Sequence, residues 1–302
     1  MDPLSTYNAI IAEIKKHVAG KEDAMRLLLI AVVAGGHVLL EGPPGVAKTT
    51  LTKTLSQTIN ADFKRVQGSP DLEPKDFTGY TYIDEDNKPQ FKKGPVFTNM
   101  LLIDELNRTT PKTMNSMLEA LEERVVTAGG KDFELMKPFT AFATQNPLNV
   151  EGTIPLPKVL ADRFLMKVDA TYPSLEEEQL LIRLKEKNEK LEVNKIIGVE
   201  DILRMQEEAK SVELPEELVG YIARLVSATR NDIHVVMGAS PRADIAFMQC
   251  GKVKAYLEGR NKVTLDDLKF LAKPILTHRI AVRSTGGVGV NGIVDGLVAT
   301  IE

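Results

Sequence analysis

The sequence predicts an α/β fold, in which a parallel sheet is flanked by helices, followed by an all-helical domain. Two observations favour this class. Five short apolar runs between residues 37 and 168 alternate with helical stretches, a pattern typical of parallel strands buried on both faces. Beyond residue 172 such runs stop, and helix-capping residues precede leucines at helical spacing. We therefore expect an α/β domain at 1–172 and a helical domain at 173–302.

Short apolar runs define the strands, while periodicity and capping residues define the helices. The predicted strands are HVLLE at 37–41, FKRVQ at 63–67, MLLIDE at 100–105, FTAFAT at 139–144 and FLMKV at 164–168. Residues 111–123 have apolar side chains at i, i+3, i+4 and i+7, which predicts an amphipathic helix. In the second domain, helix starts are predicted at Ser174, Pro215, Ser240 and Thr264.

The composition is that of a folded globular protein, since 43% of the 302 residues are hydrophobic and 26% are charged. A net charge of -4 gives no overall attraction to nucleic acid or anionic lipid. The longest apolar run, Leu27 to Gly36, has about half the length that a bilayer span requires. No positively charged segment leads into an apolar stretch near Met1. We expect a cytoplasmic protein without membrane insertion.

Residues 42–50, GPPGVAKTT, have the order of a phosphate-binding loop. Such a loop needs a preceding strand, a glycine-rich turn whose N–H groups surround the phosphates, a lysine, and a hydroxyl for Mg²⁺. The run HVLLE supplies the strand, and Ala47 replaces the usual second glycine. We expect Ala47 at the helix start, with a helical φ that alanine tolerates. The residues assigned to nucleotide binding are Gly42, Pro43, Pro44, Gly45, Val46, Ala47, Lys48, Thr49 and Thr50.

An acidic pair ends the apolar run LLIDE. Asp104 can hold Mg²⁺ through water, with the Thr49 hydroxyl as the other oxygen at the metal, and Glu105 beside it can polarise an attacking water. A single glutamate after the metal-holding aspartate favours ATP hydrolysis over phosphoryl transfer to a bound small molecule. Asn146 ends a further apolar run and can orient the water or the γ-phosphate. Arg163, just before the last strand, can stabilise charge on the nucleotide of a neighbouring subunit.

These motifs, in the order GPPGVAKT, LLIDELNR, ATQNP, EGTIPLPKVLADRF and GASPRA, resemble the MoxR family of AAA+ ATPases. The resemblance runs from Val18 to Ile280 and implies a P-loop AAA+ core with a C-terminal all-α lid domain. Alanine in place of the second loop glycine is usual in that family. The implied roles are Lys48 at phosphate, Thr49 and Asp104 at Mg²⁺, Glu105 as the water-activating residue, Asn146 as sensor 1, Arg163 as an arginine finger acting in trans, Arg242 as sensor 2, and Val18 and Gly20 beside the adenine.

The position of Arg242 leads to a further prediction. Ser240 and Pro241 suit the N-cap and the first helical position, so Arg242 falls in the first turn, where the helix dipole disfavours a cation. We therefore expect an anionic group beside this guanidinium. A γ-phosphate approached by the helical domain would meet that requirement.

Two hairpin insertions are expected near residues 76–94 and 125–135. In DNA-translocating relatives such hairpins carry basic residues, whereas the first tip here is Asp84-Glu85-Asp86 and the second sets Lys131 against Asp132. Because acidic tips repel a phosphate backbone, nucleic acid is not expected as a ligand.

The resemblance implies a homo-oligomeric ring, a hexamer, in which Mg²⁺-dependent ATP hydrolysis drives chaperone-like remodelling or maturation of a protein client. It further implies partners that carry a von Willebrand factor A-type domain. Two alternatives stay open. One is a DNA-acting AAA+ motor, which strong stimulation of ATPase activity by duplex DNA would favour. The other is a nucleotide-dependent scaffold without hydrolysis, against which the intact Glu105, Asn146 and Arg163 argue.

Overall fold

The structure is a computed structural model that describes residues 2–146, 152–186, 192–283 and 289–301. Its strands are β1 (Val38–Glu41), β2 (Phe63–Gln67), β3 (Gly79–Ile83), β4 (Pro89–Lys93), β5 (Met100–Asp104), β6 (Val125–Ala128), β7 (Lys131–Glu134), β8 (Thr140–Gln145), β9 (Met166–Asp169), β10 (Val235–Met237) and β11 (Ala281–Val282). Its α-helices are α1 (Pro3–Lys15), α2 (Glu22–Val33), α3 (Lys48–Thr58), α4 (Pro74–Thr78), α5 (Pro111–Glu123), α6 (Lys158–Ala161), α7 (Leu175–Glu186), α8 (Val199–Ala209), α9 (Glu216–Asn231), α10 (Pro241–Leu257), α11 (Leu265–Leu276) and α12 (Val290–Thr300). A 3₁₀ helix, Leu106–Arg108, follows β5.

Five parallel strands form the central sheet, in the order β2-β5-β8-β1-β9. All five predicted strands are confirmed, and their ends lie within two residues of the predicted bounds. Val38 of β1 is opposite Phe142 of β8 and Met166 of β9. Because the strands run the same way, their carboxyl ends meet at one edge of the sheet, where ligands bind in folds of this kind.

Apolar side chains alternate along the strands between two hydrophobic clusters, one on each face of the sheet. Leu39 and Ile103 belong to a cluster that includes Met117 of α5. Their chain neighbours Leu40 and Leu102 belong to a second cluster, which also contains side chains of α1, α2 and the C-terminal helices. The amphipathic helix predicted at 111–123 is confirmed, since α5 has the same bounds.

The C-terminal part of the chain is helical and centres on α10, where Phe247 and Cys250 are fully buried. This helix contacts α1 and α2 of the α/β part as well as α9 and α11. The helix starts predicted at the four capping positions are confirmed. In the part of the chain that the structure describes, no helix is long and apolar enough to cross a membrane.

The expectation that the second domain is purely helical is wrong in one detail. Strands β10 and β11 pair antiparallel, with Val235 opposite Val282. Segments of three and two residues are too short to show a period-two pattern, so their pairing could not be predicted from sequence alternation. The ladder forms because the folded helices bring the ends of α9 and α11 together.

Two antiparallel hairpins lie at the positions expected for the insertions. Strands β3 and β4 form the first hairpin, and β6 and β7 form the second. Phe91 of the first stacks on Phe133 of the second, with ring centroids 4.3 Å apart. The hairpins therefore pack against each other, while Tyr80, Tyr82 and Ile83 of the first are exposed.

Candidate active site

The phosphate-binding loop connects β1 to α3, as the motif predicts. Gly42 is required by close approach, because a Cβ there would lie 2.1 Å from the carbonyl oxygen of Ala170 at the end of β9. Gly45 has φ +82, a conformation that L-residues rarely adopt, and among the described residues no atom beyond its two chain neighbours lies within 4 Å of its Cβ position. The loop thus leaves room beside its backbone at the N-terminus of α3, where the helix dipole favours an anion.

The prediction that Ala47 has a helical φ is wrong. The residue is the N-cap of α3 and lies in the left-handed region, with φ 65 and ψ 21. Its carbonyl oxygen accepts the first helical hydrogen bond, from the N–H of Leu51 at 2.9 Å. A left-handed L-residue costs about 1–2 kcal/mol, so the alanine is tolerated at a conformational cost, which the sequence argument missed.

Lys48 and Thr49 lie at the first two positions of α3, facing the loop and the acidic pair. The Lys48 ammonium donates to the carbonyl oxygens of Gly42 at 2.5 Å and Pro43 at 2.9 Å. Burial lowers the pKa of Lys48 below its ordinary value, although the nearby carboxylates partly oppose the shift. The Thr49 hydroxyl donates to Asp104 Oδ2 at 3.4 Å.

The acidic pair lies at the end of β5, and its two residues are held differently. Thr144 at the end of β8 donates its hydroxyl hydrogen to Asp104 Oδ1 at 2.6 Å and accepts from the Glu105 N–H at 2.8 Å. Glu105 has a left-handed backbone, with φ 56 and ψ 50. Gly68 allows this turn, because a Cβ there would lie 2.2 Å from the Glu105 carbonyl oxygen. Such strain in a residue without glycine's freedom is typical of functional sites.

Two polar side chains of β2 complete the site, and the sequence analysis did not identify them. Arg65 donates to Asp104 Oδ2 from Nε at 3.2 Å and from Nη2 at 2.7 Å. Gln67 accepts from Arg65 at 2.7 Å and donates to Glu105 Oε2 at 2.9 Å, where Arg108 also donates at 3.0 Å. The sequence did contain an indication of both residues. Arg65 and Gln67 are two apart in FKRVQ, so they lie on one face of a strand that was predicted to be buried.

The predicted phosphate and metal residues line one cavity of about 380 Å³, except for Gly42 and Pro43, which are not among its lining residues. The cavity also contains Asn146, the residue expected to orient the water. Thr49 and Asp104 present oxygen atoms, the ligands that Mg²⁺ prefers, so the residues present fit a bound Mg²⁺ nucleotide. The residues that line this phosphate cavity are Pro44, Gly45, Val46, Ala47, Lys48, Thr49, Thr50, Arg65, Gln67, Asp104, Glu105, Thr144, Gln145 and Asn146.

Arg163 and Arg242 lie in a different cavity, of about 410 Å³, between the end of α6 and the start of α10. Arg163 Nε donates to Glu122 Oε2 at 2.7 Å, and Arg242 donates to the other oxygen of the same carboxylate. Asp162 is a second acidic neighbour of Arg242, at 3.8 Å. Hydrogen bonds from Arg242 and Arg163 lower the pKa of Glu122. An anionic group does lie beside Arg242, as its helix position predicts, but it is a carboxylate of α5.

Val18 and Gly20, expected beside the adenine, precede α2 and do not line the phosphate cavity. Val18 is buried. Gly20 has φ +64, and a Cβ there would overlap the carboxylate of Glu177 in α7. The adjacent Lys21 donates to the carbonyl oxygen of Thr171, and the carbonyl of the preceding Ala170 packs against Gly42, so this segment lies close to the phosphate loop.

A phosphate loop at the end of a central parallel strand, an acidic pair at the end of β5, and a helical C-terminal part define an AAA-type ATPase. The model for the ATPase family associated with various cellular activities (AAA) matches residues 37–166, and the AAA lid domain model matches residues 227–290. Similar proteins narrow this class. Chaperone MoxR1 of Mycobacterium tuberculosis is 37% identical over 92% of this chain and 76% of its own length. The chain belongs to the MoxR family of AAA+ ATPases.

Two further matches cover nearly the whole chain. YeaC of Bacillus subtilis, a protein without a characterised function, is 39% identical over 97% of this chain and 93% of its own length. A crystal structure of a Cytophaga hutchinsonii protein assigned as an ATPase superposes with a TM-score of 0.91 at 36% identity. It covers 100% of this chain, and this chain covers 96% of it. The α/β core with a helical lid is therefore shared along the full length.

Proposed function

We propose that the chain hydrolyses ATP in a Mg²⁺-dependent reaction and uses the cycle to remodel or mature a protein client, as a cytoplasmic homo-oligomeric ring, expected to be a hexamer. The observation that carries the proposal is the convergence of Lys48, Thr49, Asp104, Glu105 and Asn146 on one cavity. A phosphate loop, a metal-holding carboxylate and a second carboxylate for water are the parts that phosphoryl transfer to water requires.

In this proposal the residues of the cavity have separate tasks. Lys48 and the N–H groups at the start of α3 bind the phosphates, and Thr49 with Asp104 would hold Mg²⁺, which supplies charge neutralisation when it is bound. Glu105 accepts the proton of the attacking water, and Asn146 orients that water. Gln67 and Arg108 hold the Glu105 carboxylate at 2.9 and 3.0 Å, so its orientation is fixed before it acts.

A ring is supported by the position of the two arginines. Arg163 and Arg242 share Glu122 in a cavity that has no lining residue in common with the phosphate cavity. In this structure both arginines are paired with Glu122, and neither lines the phosphate cavity. We propose that Arg163 acts as the arginine finger on the nucleotide of a neighbouring subunit, and that Arg242 acts as sensor 2 when the helical lid approaches the γ-phosphate. Val18 and Gly20 are proposed to border the adenine.

A protein client is favoured over DNA by the surface of the first hairpin. Tyr80, Tyr82 and Ile83 are exposed apolar side chains, and the adjacent tip is acidic. Lys92 and Lys93, the basic residues at its base, lie over the rings of Tyr80 at 5.7 Å and Phe97 at 5.0 Å. Apolar surface suits exposed segments of a protein, whereas DNA binding needs several cations that face the backbone. The name of the relative Chaperone MoxR1 agrees with a protein client. We propose that the partners are proteins that carry a von Willebrand factor A-type domain.

Mixed rings test the proposal. Glu105→Gln and Arg163→Ala should each lose most ATP turnover alone, because every interface then lacks one component. In an equimolar mixture, about one interface in four joins a chain with an intact Glu105 to a neighbour with an intact Arg163. Random assembly should therefore restore about a quarter of wild-type turnover. Phosphate release, normalised to total protein, measures the recovery.

The matched control mixes Glu105→Gln with a chain that carries both substitutions, which should restore nothing. Recovery that is absent in both mixtures would refute action in trans, and a wild-type chain without turnover would refute hydrolysis. Duplex DNA should leave wild-type turnover unchanged; strong stimulation would instead support the DNA-acting motor.

A further inference from the structure

We propose that Arg65 is a built-in competitor of the metal: it neutralises Asp104 in the metal-free site and must release that carboxylate when Mg²⁺ binds. The inference rests on the proposed function, since it concerns the same site. Arg65 touches the residue that would hold the metal, but it lies outside the phosphate loop and the acidic pair.

The two oxygens of Asp104 are used unequally. Oδ1 accepts the short hydrogen bond from the Thr144 hydroxyl, at 2.6 Å. Oδ2 accepts from Arg65 at 2.7 and 3.2 Å and is also the oxygen that the Thr49 hydroxyl approaches, at 3.4 Å. A cation held jointly by Thr49 and Asp104 therefore needs the oxygen that Arg65 occupies. Arg65 places two N–H groups on Oδ2, where they occupy the lone pairs that a cation or its bound water would need, so the two cations compete for this oxygen.

The strand register fixes this competition in the fold. Gln67 of β2 is opposite Asp104 of β5, and Arg65 lies two residues earlier on the same face of β2. Arg65 Nη2 also donates to Gln67 Oε1 at 2.7 Å, which directs the guanidinium toward the acidic pair. The position of Arg65 is thus set by β2, a strand of the central sheet, and not by a loop.

The exposure of the partners makes the exchange feasible. The Asp104 side chain is 13% exposed, so leaving its charge without a cation would be costly, while the Arg65 side chain is 49% exposed. Arg65 can therefore turn into solvent at small cost once another cation takes its place. Removing Arg65 should strengthen Mg²⁺ binding, because the metal ion then no longer has to displace a bound guanidinium.

The test is the Mg²⁺ dependence of nucleotide binding, measured with fluorescent N-methylanthraniloyl-ADP over a series of Mg²⁺ concentrations. Arg65→Gln removes the charge and keeps a polar chain, and Arg65→Lys keeps the charge but loses the fork of donors. Lys53→Gln is the matched control, because Lys53 is exposed on α3 and its loss changes net charge equally. Circular dichroism checks that each variant is folded.

We expect the half-saturating Mg²⁺ concentration to fall about three- to tenfold in Arg65→Gln, and by less in Arg65→Lys and Lys53→Gln. A curve for Arg65→Gln that coincides with wild type, or a requirement for more Mg²⁺, would overturn the competition while leaving nucleotide binding intact. A wild-type chain that binds no nucleotide at any Mg²⁺ concentration would instead overturn the proposed function itself, and the competition with it.

Discussion

Two carboxylates of this protein are each held by an arginine, but in opposite surroundings. Asp104 lies at the open phosphate cavity, where its Arg65 partner is half-exposed. Asp267 lies in the lid at the first turn of α11, where it is buried and accepts five hydrogen bonds from Arg260, Lys254 and Thr264. The comparison shows that an arginine–carboxylate pair can stabilise the fold, as at Asp267, or can be exchanged for a ligand, as at Asp104. A carboxylate that is 2% exposed and accepts five hydrogen bonds makes its pair permanent, whereas an arginine that is 49% exposed and shares one carboxylate oxygen can be replaced.

The largest effect is expected when the buried pair is broken. Asp267→Asn should lower the free energy of unfolding by about 2–3 kcal/mol, because buried charged hydrogen bonds are lost and, among the described residues, only Glu258 remains as a shared counter-charge of Arg260 and Lys254. Urea denaturation measures the loss. Asp266→Asn is the control, since Asp266 is the exposed neighbour on the same turn and should change stability by less than about 0.5 kcal/mol.

The corresponding change at the cavity should be small. Asp104→Asn is expected to alter the free energy of unfolding by no more than about 1 kcal/mol, because its arginine can turn to solvent. Equal losses for Asp104→Asn and Asp267→Asn would remove the distinction between an exchangeable and a permanent pair.

Acid should act on the lid carboxylate in a defined pH window. Burial alone would raise the pKa of Asp267, but hydrogen bonds from Arg260, Lys254 and Thr264 outweigh it and lower the pKa from 3.8 to about 2. The unfolded state therefore binds the proton first, and the stabilisation present above pH 4 is lost as the pH falls toward 2. This contribution is about 2 kcal/mol. Urea midpoints at pH 5 and 2.5 should differ less in Asp267→Asn than in wild type; an unchanged difference would contradict the assignment.

The smallest effect concerns the strained loop residue. Ala47→Gly should raise the free energy of unfolding by up to about 1 kcal/mol, because glycine adopts a left-handed φ freely and this gain exceeds the added entropy of the unfolded chain. Ala12→Gly is the matched control on exposed, helical backbone in α1, and it should lower stability by about 0.5–1 kcal/mol. Changes of the same sign in both variants would contradict the left-handed assignment of Ala47.

The sequence predicted what local patterns determine. Strand bounds followed from short apolar runs, the α5 helix followed from its period, and the phosphate loop and acidic pair followed from their spacing. The side-chain partners did not follow, because Arg65 meets Asp104 only when the sheet order brings β2 beside β5. The junction of Arg163, Arg242 and Glu122 likewise joins three distant segments. Ala47 was missed for another reason, since its φ is set by how the loop enters α3, which residue identity alone does not reveal.

Glu105→Gln provides the most direct measurement of the central claim, that this cavity hydrolyses ATP with Glu105 as the residue that activates water. Phosphate release and the binding of a fluorescent ATP analogue should be measured on the same preparations of wild type and variant. Turnover should fall about 100-fold or more, while nucleotide affinity stays within about threefold, because the amide keeps the shape of the carboxylate but cannot accept the proton. Undiminished turnover in Glu105→Gln would contradict the account.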